Sequence, residues 1–313
     1  MALTGKVWRL SAAASLSVLA ACDVTGLGRP QASVLPPATT PAFVAPTPKS
    51  AAAYAYYTQV QGALTQEGLL RRDRGADVPV TADMLAENFQ RIALFDEYRR
   101  DTGGFVQKET ASRLRRWDVP VRIAVRFGDS VPPDRQAADL AEIARFVARL
   151  SAVTGHPILL DNAAPNYWIH IVSEDEREAL GPKVHAAISN LSAVDVSSIT
   201  NMPRTTYCLV YALSEGNSGA YTRAFAVIRA EHPDLLRLSC IHEEIAQGLG
   251  LPNDSPRARP SIFNDDEEFA FLTAHDELLL RILYSPELRP GMTPAEARPI
   301  VFSLARRLLG GDS

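Results

Sequence analysis

The spacing of apolar residues predicts a succession of helices and strands over most of the chain. Apolar positions recur with helical periodicity over 81 to 98, 133 to 155, 233 to 250, 272 to 284 and from about 293 onward. Alternating or continuous apolar positions predict strands at 121 to 127, 157 to 160, 166 to 172, 206 to 213 and 222 to 230. The segment from 173 to 205 contains Gly181, Pro182 and many serines, and is predicted to be irregular. This order of elements predicts a single α+β domain with a mixed sheet.

The first 21 residues have the pattern of a secretory signal peptide. Lys6 and Arg9 precede an apolar run of Ala, Leu and Val, and small residues follow it. Leu19, Ala20, Ala21 and Cys22 resemble a bacterial lipobox, in which the cysteine is lipidated and becomes the new N-terminus. We therefore expect lipidation at Cys22 and a periplasmic location, anchored to the inner or outer membrane of a Gram-negative bacterium.

Composition divides the rest of the chain into a tether and a folded domain. Residues 22 to 52 are rich in proline, alanine, serine and threonine, which predicts a semi-extended tether. Residues 53 to 313 have a globular composition and are predicted to form the domain. Removal of residues 1 to 21 deletes Lys6 and Arg9, so the formal charge goes from −4 to −6. Neither this charge nor the short basic runs indicate a nucleic-acid partner.

Two cysteines, Cys208 and Cys240, remain once Cys22 is set aside. In an oxidising compartment an even pair most simply forms a disulfide, which would join a predicted strand to the start of a predicted helix. The alternative is a pair of buried free thiols, because spacing in the sequence does not establish a bond.

The segment CIHEEIAQGLGLPND, residues 240 to 254, has the spacing of a metal-binding helix. Zinc peptidases of the zincin class place two histidines four residues apart on one helical face, with a glutamate between them. In the metzincins the helix then breaks at a glycine, and a third ligand follows three residues later. A pattern that starts at His242 fails, since Ala246 occupies the second ligand position.

A pattern that starts at Glu243 keeps every spacing. It places Glu243, Gln247 and Asn253 at the ligand positions, Glu244 at the position of the catalytic base and Gly250 at the break. Downstream, Ser261, Ile262 and Phe263 resemble the metzincin turn that underlies the metal, with Phe263 in place of methionine. Asp276, Leu283 and Tyr284 then match the helix that follows this turn.

The same residues resemble, more closely, a proteobacterial lipoprotein family classed as domain of unknown function 2927. The resemblance lies in the pattern Glu-Glu-x-x-Gln-x-Leu-Gly-Leu-x-Asn-Asp at 243 to 254, in SIFND at 261 to 265, and in LTAHDELLLRILY and PGMT further on. It covers roughly residues 80 to 309. What it implies is a zincin-like, specifically metzincin-like, single domain with an active-site-type helix in a lipoprotein, and no particular reaction.

The three candidate ligands suit zinc poorly, because they offer one carboxylate and two weak amide oxygens. A hard cation such as calcium would fit better, provided that Asp254, Asp265 and Asp266 also contributed oxygens. We expect no cofactor, with zinc or calcium as the alternatives. Without a metal, Gln247 is expected to bond to the sheet and Asn253 to end the helix region. A site built from His242 and His275 is a further alternative, which their spacing does not support.

These observations favour a non-catalytic binding or scaffolding lipoprotein that uses the cleft of a degenerate metal site. Its ligand would be a peptide, a protein or peptidoglycan. The first alternative is a metallopeptidase with Glu243, Gln247 and Asn253 as metal ligands and Glu244 as the base. The second is a metal-free cell-wall hydrolase, which needs Glu243 and Glu244 to face one groove. No Gly-x-Ser-x-Gly sequence, phosphate loop or dinucleotide fingerprint is present.

Overall fold

The protein was analysed as a computed structural model, which describes residues 44–310 except 102–103, 189–190, 217 and 265. The predicted signal peptide, Cys22 and the predicted tether up to residue 43 lie outside the described residues. The helices are α1 (Pro48–Gln66), α2 (Ala82–Ala93), α3 (Pro133–Thr154), α4 (Glu174–Glu178), α5 (Gly181–Ala187), α6 (Ala193–Thr200), α7 (Asp234–Gly250), α8 (Ala274–Leu283) and α9 (Pro294–Leu309). The strands are β1 (Phe95–Asp101), β2 (Gly104–Ala111), β3 (Val121–Phe127), β4 (Ile158–Leu160), β5 (Tyr167–Val172), β6 (Cys208–Ser214) and β7 (Tyr221–Arg229).

A five-stranded mixed sheet forms the centre of the domain. Its strand order is β4-β3-β5-β7-β6, and β1 pairs with β2 in a separate hairpin. Strands β4, β3, β5 and β7 run parallel to one another, whereas the edge strand β6 runs antiparallel to β7. Of the predicted α+β domain, the structure confirms the single domain of helices and strands and the mixed sheet, and all five predicted strands are present.

Helices cover both faces of this sheet. Alternate residues of β7 point to opposite sides, so Ala226 and Ile228 join a large core while Phe225 and Val227 join a smaller one. The large core includes buried residues of α2, α3, α7, α8 and α9, and the smaller core includes buried residues of α5 and α6. Burial on both faces favours apolar residues at successive positions, as from Ala224 to Ile228 of β7, whereas β3 keeps Arg122 and Arg126. Within the described residues, no helix combines the length and apolar character needed to cross a membrane.

The helix predicted over 81 to 98 is shorter in the structure. It begins after the N-cap Thr81, as predicted, but ends at Ala93, and Phe95 starts strand β1. The peptide N–H and the side-chain amide of Asn253 donate to the carbonyls of Ile92 and Arg91, at 3.2 and 2.8 Å. Those carbonyls belong to the last turn of α2, where no intrahelical donor remains. Asn253, far along the chain, thus supplies hydrogen-bond donors to the last carbonyls of α2. The periodicity of the local sequence gives no sign of this contact.

The prediction of an irregular segment from 173 to 205 was wrong. This segment contains the short helices α4, α5 and α6, and two of them begin with capping boxes. Ser173 pairs with Glu176 at the start of α4, and Ser192 pairs with Asp195 at the start of α6. The serines that suggested a loop therefore act as N-caps, which is a position that serine strongly favours.

Helix α1 begins at Pro48, inside the segment predicted to be tether. Thr47 caps it, and the alanine-rich residues that follow have high helix propensity. Tyr57 is fully buried against Leu236 and donates from its hydroxyl to the carbonyl of Arg204, at 3.0 Å. Ser50 donates to the buried carboxylate of Glu231, at 2.7 Å. Packing against later parts of the chain thus makes α1 part of the domain.

Helix α1 also completes the start of α7. The residue before α7 is Pro233, which makes no side-chain capping bond. Instead, the side-chain oxygen of Gln61 accepts from the N–H groups of Leu235 and Leu236, at 3.1 and 3.0 Å. These are two of the N–H groups that a helix cannot satisfy internally. Gln61 therefore acts as an N-cap supplied from another helix.

The predicted disulfide between Cys208 and Cys240 is confirmed, with the two Cα atoms 5.9 Å apart. It joins the edge strand β6 to the middle of α7. The alternative of two free thiols is thereby excluded in this structure.

We expect the Gln61→Ala variant to lower the free energy of unfolding by about 1 kcal/mol, the usual cost of losing an N-cap. Urea denaturation of the two proteins measures the difference. Gln59→Ala is the matched control, since Gln59 is exposed on the same helix. Equal stability of the Gln61 variant and this control would show that the two bonds to α7 contribute nothing.

Candidate functional site

The segment that resembles a metal site lies on the second half of α7 and on the loop after it. Most residues of α7 are buried, including Ile241, Glu244, Ile245, Gly248 and Leu249. The helix packs against the sheet and against α8, so its second half is enclosed. An enclosed helix needs protein partners for the carbonyl groups at its end, because water cannot reach them.

Three aromatic side chains supply these partners. The Tyr167 hydroxyl donates to the carbonyl of Glu244 at 2.6 Å, and the Trp117 indole N–H donates to that of Gly248 at 2.8 Å. The Tyr284 hydroxyl donates to the carbonyl of Leu249 at 2.9 Å. Trp117 is 1% exposed and belongs to the core. The motif part of α7 is thus held by donors from three separate elements.

The two glycines of the motif are required by packing. A Cβ atom on Gly248 would lie 2.4 Å from the Tyr167 hydroxyl oxygen. Gly250 has a φ of +126°, and a Cβ there would lie 2.2 Å from the carbonyl oxygen of Arg115. Positive φ and close backbone approach are the conditions that favour glycine. The break in the helix therefore has a structural reason that is independent of any metal.

Glu244, at the position of the catalytic base, is 3% exposed. Burial raises the pKa of its carboxyl well above the usual value, and the nearby negative charge of Asp254 raises it further. The side-chain atom Oε2 is buried and has no hydrogen-bond partner among the described residues. Burial therefore favours the neutral form of this carboxyl over the charged form. A neutral carboxylic acid can donate a proton, but it cannot act as a general base.

Gln247 and Asn253, at two of the ligand positions, bond within the protein. The Gln247 amide donates to Asp254 Oδ1 at 3.2 Å, and the Asn253 amide donates to the carbonyl of Arg91 at 2.8 Å. The expectation that Gln247 would reach the sheet was wrong, because Asp254 lies nearer across the turn after α7. The expectation that Asn253 would end its own helix region was also wrong, since it satisfies the end of α2 instead.

The remaining ligand position, Glu243, is half-buried. Adjacent helical residues point about 100° apart, so the side chains of Glu243 and Glu244 leave the helix in different directions. The carboxyl that interacts with Glu244 belongs to Asp254. The predicted roles of Glu243, Glu244, Gln247 and Asn253 in metal binding or hydrolysis stay predictions.

The residues present fit zinc poorly. Gln247 and Asn253 direct their amide nitrogens to oxygen acceptors, and an amide oxygen is a weak zinc ligand. For calcium, Asp266 is exposed and its Oδ1 accepts from the Glu268 N–H at 2.9 Å, while Asp265 lies outside the described residues. In the part of the chain that the structure describes, no three His, Cys, Asp or Glu side chains are grouped so as to hold a metal ion. No reaction step is therefore derived through a metal.

The turn at Ser261, Ile262 and Phe263 is fastened to α8 by one carboxylate. Asp276 accepts from the Ser261 hydroxyl at 2.5 Å and from the Ile262 N–H at 3.0 Å, and it also forms the capping box of α8 with Thr273. Burial alone would raise the pKa of Asp276, but the nearby His275 ring and the hydrogen bonds from Ser261 and Ile262 outweigh burial and lower the pKa. The turn and the helix that resemble the metzincin segment are thus joined as one unit.

His242 and His275 have different surroundings. The His242 ring stacks on Phe146 with centroids 3.9 Å apart, and its Nδ1 accepts from the Leu272 N–H at 3.2 Å. Burial lowers the pKa of His242 to about 3, so it is neutral. His275 is 1% exposed, and its Nε2 lies 3.2 Å from the Asn88 amide nitrogen. Each ring has a packing role of its own.

A cavity that the sequence did not indicate lies beside this region, between α2 and α9. Its volume is about 360 Å³, and Gln90, Arg91 and Phe95 line one side while Ala295 and Arg298 line the other. The carbonyl of Arg91 is the acceptor for Asn253, so the wall of the cavity is bonded to the end of the motif. The lining residues come from segments about 200 positions apart, which is why no local motif reveals the cavity.

Residues 82–303 match the model of a family described as "Protein of unknown function (DUF2927)". This match covers most of the chain, so the protein belongs to that family. No curated protein and no solved structure gives a significant match. The matched range includes the whole motif and both walls of the cavity, but it excludes α1.

We expect Glu244→Gln to stabilise the protein relative to the native chain as pH rises from about 5 to about 8. The unfolded chain releases this proton near the ordinary pKa of 4.5, whereas the folded chain keeps it to higher pH. The free energy of unfolding of the native chain therefore falls over this range, by about 1.4 kcal/mol for each unit by which the pKa of Glu244 in the folded chain exceeds its pKa in the unfolded chain. Gln does not ionise, so the variant lacks this loss.

Urea denaturation of both proteins at the two pH values measures the effect. Comparing the stability difference at one pH with that at the other removes any effect of the glutamine amide that does not depend on pH. Glu67→Gln, at an exposed carboxyl, is the control that should show a much smaller pH dependence. If the stability difference between native chain and Glu244→Gln stays constant with pH, Glu244 is not held neutral by the fold.

Proposed function

We propose that this protein is a lipid-anchored envelope protein whose zincin-like, metzincin-type domain binds or scaffolds without catalysis. The observation that carries the proposal is the state of the motif. Glu244 is buried with a raised pKa, and the amides of Gln247 and Asn253 are bonded to acceptors of the fold. The spacing of a catalytic helix is kept while the amides at two of its ligand positions bond within the protein.

Three features support the zincin-like assignment. The helix with the motif follows the last parallel strand and packs beneath a mixed sheet. It breaks at Gly250, where the resemblance requires a glycine. The turn at 261 to 263 is bonded to the following helix through Asp276. A likeness of fold leaves the reaction open, so the functional proposal depends on the chemistry of the side chains.

The lipid anchor is supported by the sequence alone. The apolar segment before Cys22 and the small residues at 20 and 21 have the pattern of a lipidated signal. The proposed location is therefore the periplasm, on the inner or outer membrane of a Gram-negative bacterium, most simply a proteobacterium. The proposed ligands are a peptide, a protein or peptidoglycan.

One observation favours a second candidate, the metal-free hydrolase. Glu244 has a raised pKa beside the carboxyl of Asp254, and a carboxyl with a raised pKa next to a second carboxyl is an arrangement that glycoside hydrolysis uses. Against it, Glu244 is 3% exposed, so a substrate could reach it only after the structure opens. The metallopeptidase alternative keeps Glu243, Gln247 and Asn253 as ligands, and the same experiment tests it.

We expect the purified full chain to release no products from denatured casein or from isolated peptidoglycan, with or without added zinc or calcium. Glu244→Gln should behave like the native chain, because a buried neutral carboxyl has no catalytic role to lose. Product release is measured by chromatography and mass spectrometry.

Hydrolysis that disappears in Glu244→Gln, with circular dichroism unchanged and with Glu67→Gln still active, would overturn the proposal. Dependence of that activity on added metal would then assign the metallopeptidase. Activity in metal-free buffer, lost also in Asp254→Asn, would assign the metal-free hydrolase.

We expect the mature chain expressed in a Gram-negative host to carry the mass of an acylated N-terminal cysteine and to sediment with membranes. Cys22→Ala should carry no lipid and should lose membrane attachment, since no thiol remains to be acylated. The double variant Cys208→Ala, Cys240→Ala is the control that should stay attached. An intact native chain without acyl mass would refute the anchor.

A further inference from the structure

On the side of the smaller core, helices cover only part of the central sheet. The smaller core takes residues from β5, β6 and β7 but none from β3 or β4. Because side chains alternate along a strand, Arg122 and Arg126 of β3 point to this side while Ile123 and Val125 pack on the large core. Leu159 of β4 lies opposite Arg122 in the parallel register and is 42% exposed. One part of the sheet is therefore open to solvent on this side.

Trp168 and Arg223 continue this open surface across the sheet. Trp168 of β5 is half-buried and packs against the smaller core, so it lies on the same side. Arg223 near the start of β7 is exposed, and its guanidinium carbon lies 5.7 Å from the centroid of the Trp168 ring. An arginine over an aromatic face makes a favourable cation–π contact. We call this surface the basic face, and it consists of Arg122, Arg126, Leu159, Trp168 and Arg223.

The three arginines of the basic face bind no carboxylate among the residues that the structure describes. The Arg122 guanidinium donates to the carbonyl of Ala164, and that of Arg126 donates to the Asn162 amide oxygen at 2.6 Å. Arg223 contacts the Trp168 ring instead. Neutral acceptors do not compensate the positive charge of a guanidinium. The basic face therefore attracts anions.

Neighbouring titratable groups leave the basic face positive. Asp161 lies near Arg122, but its Oδ1 accepts from two backbone N–H groups of the turn that follows it, at 2.8 and 3.2 Å. Lys183 of α5 is exposed and adds a further positive charge close to His170. Burial, together with the charges of Lys183 and Arg126, lowers the pKa of His170 to about 4, so this ring is neutral. Positive charge thus accumulates here, in a chain whose formal charge is −4.

The segment that leads to the predicted lipid enters the domain at the end of β3. The described chain begins at Val44, whose N–H donates to the carbonyl of Asp129 at 3.5 Å. Asp129 follows β3, the strand that carries Arg126. The 22 positions from Cys22 to Val44 span at most about 80 Å when fully extended. A lipid on Cys22 therefore keeps the basic face within reach of the bilayer, at a high effective concentration.

We propose that the basic face docks on an anionic phospholipid surface, the membrane to which the chain is anchored. Arg122, Arg126 and Arg223 bind headgroup phosphates, while Trp168 and Leu159 enter the interfacial layer. The arginines are spread over about 10 Å across the strands and about 13 Å along β3, so they match a surface of many phosphates better than one small anion. The inference rests on the proposed envelope location and deepens it, because docking gives the domain one orientation on the membrane.

The basic face adds to the lipid anchor and does not replace it. Each arginine near an anionic bilayer strengthens binding about fivefold, and salt screens this attraction. The face therefore acts on a chain that acyl groups already hold at the membrane. Loss of the acyl groups in Cys22→Ala still releases the protein.

The test is quenching of tryptophan fluorescence in the acylated full chain, reconstituted into vesicles whose acyl chains carry bromine near the headgroup. Trp168 is the reporter, since Trp117 is 1% exposed and Trp8 lies in the predicted signal peptide. We expect strong quenching in vesicles that contain phosphatidylglycerol and little in vesicles of phosphatidylcholine alone. High salt should remove the quenching, and Trp168→Phe should abolish it.

The triple variant Arg122→Gln, Arg126→Gln, Arg223→Gln should lose this quenching. We expect the ratio of docked to undocked chains to fall by about a hundredfold, which is about fivefold for each arginine replaced. The salt dependence of the remaining signal should be weaker than in the native chain, because fewer charges contribute.

The matched control removes the same charge from another part of the surface. It is the triple variant Arg281→Gln, Arg289→Gln, Arg306→Gln, whose arginines are exposed on α8, on the loop after it and on α9. These helices pack on the large core, away from the basic face. The control should be quenched like the native chain. Circular dichroism and the melting temperature establish that both triple variants are folded.

The proposal is overturned if the native chain is quenched equally in neutral and anionic vesicles, if it is quenched in neither, or if quenching survives the replacement of the three arginines. A change in Trp168 emission with soluble peptidoglycan fragments, without quenching by lipid, would also overturn it and assign the basic face to an acidic glycan.

Failure of the proposed envelope location is detected separately, by the absence of acyl mass on the N-terminal cysteine. The unacylated chain is then mixed with the same vesicles at low salt. The basic face still predicts quenching by vesicles with phosphatidylglycerol and none by phosphatidylcholine alone, and equal results with the two would overturn it.

Discussion

Helix α7 is almost wholly buried, and much of the structure follows from the need to satisfy its ends without water. Gln61 of α1 accepts from two N–H groups at its start. Tyr167, Trp117 and Tyr284 donate to three carbonyls in its second half. The disulfide from Cys240 to β6 fixes its middle. Residues from five separate parts of the chain thus contact this helix. These contacts fix its position whichever residues it carries on its exposed side.

Buried charges impose a second requirement at the start of α7. Arg237 is paired with Asp139 of α3 at 3.0 Å and also donates to the carbonyl of His232 at 3.1 Å. On the other face of the sheet, Arg229 is bonded to Glu174 of α4. Because an isolated buried charge is strongly destabilising, each ion pair requires that the two elements it joins keep one relative arrangement. Helix α1 covers this region although it lies outside the family match, which begins at residue 82.

The motif keeps the spacing of a metal-binding helix for reasons that this packing explains. Gly248 and Gly250 are required by the close approach of Tyr167 and Arg115, and Asn253 is required by the end of α2. Burial next to Asp254 raises the pKa of Glu244. In the proposed function as a binding protein, the motif therefore supports the packing of the domain.

The sequence by itself determined a single domain of helices with one mixed sheet, the five central strands and the capped starts of α2, α8 and α9, because periodicity and capping residues are local signals. The cysteine count favoured a disulfide but left two free thiols open. Only the tertiary structure decided that Cys208 and Cys240 are bonded, where α2 ends, that α1 belongs to the domain and that Gln247 bonds to Asp254. Each of these depends on which residues meet through the fold, and the burial that shifts the pKa of Glu244 exists only once the surrounding elements have packed.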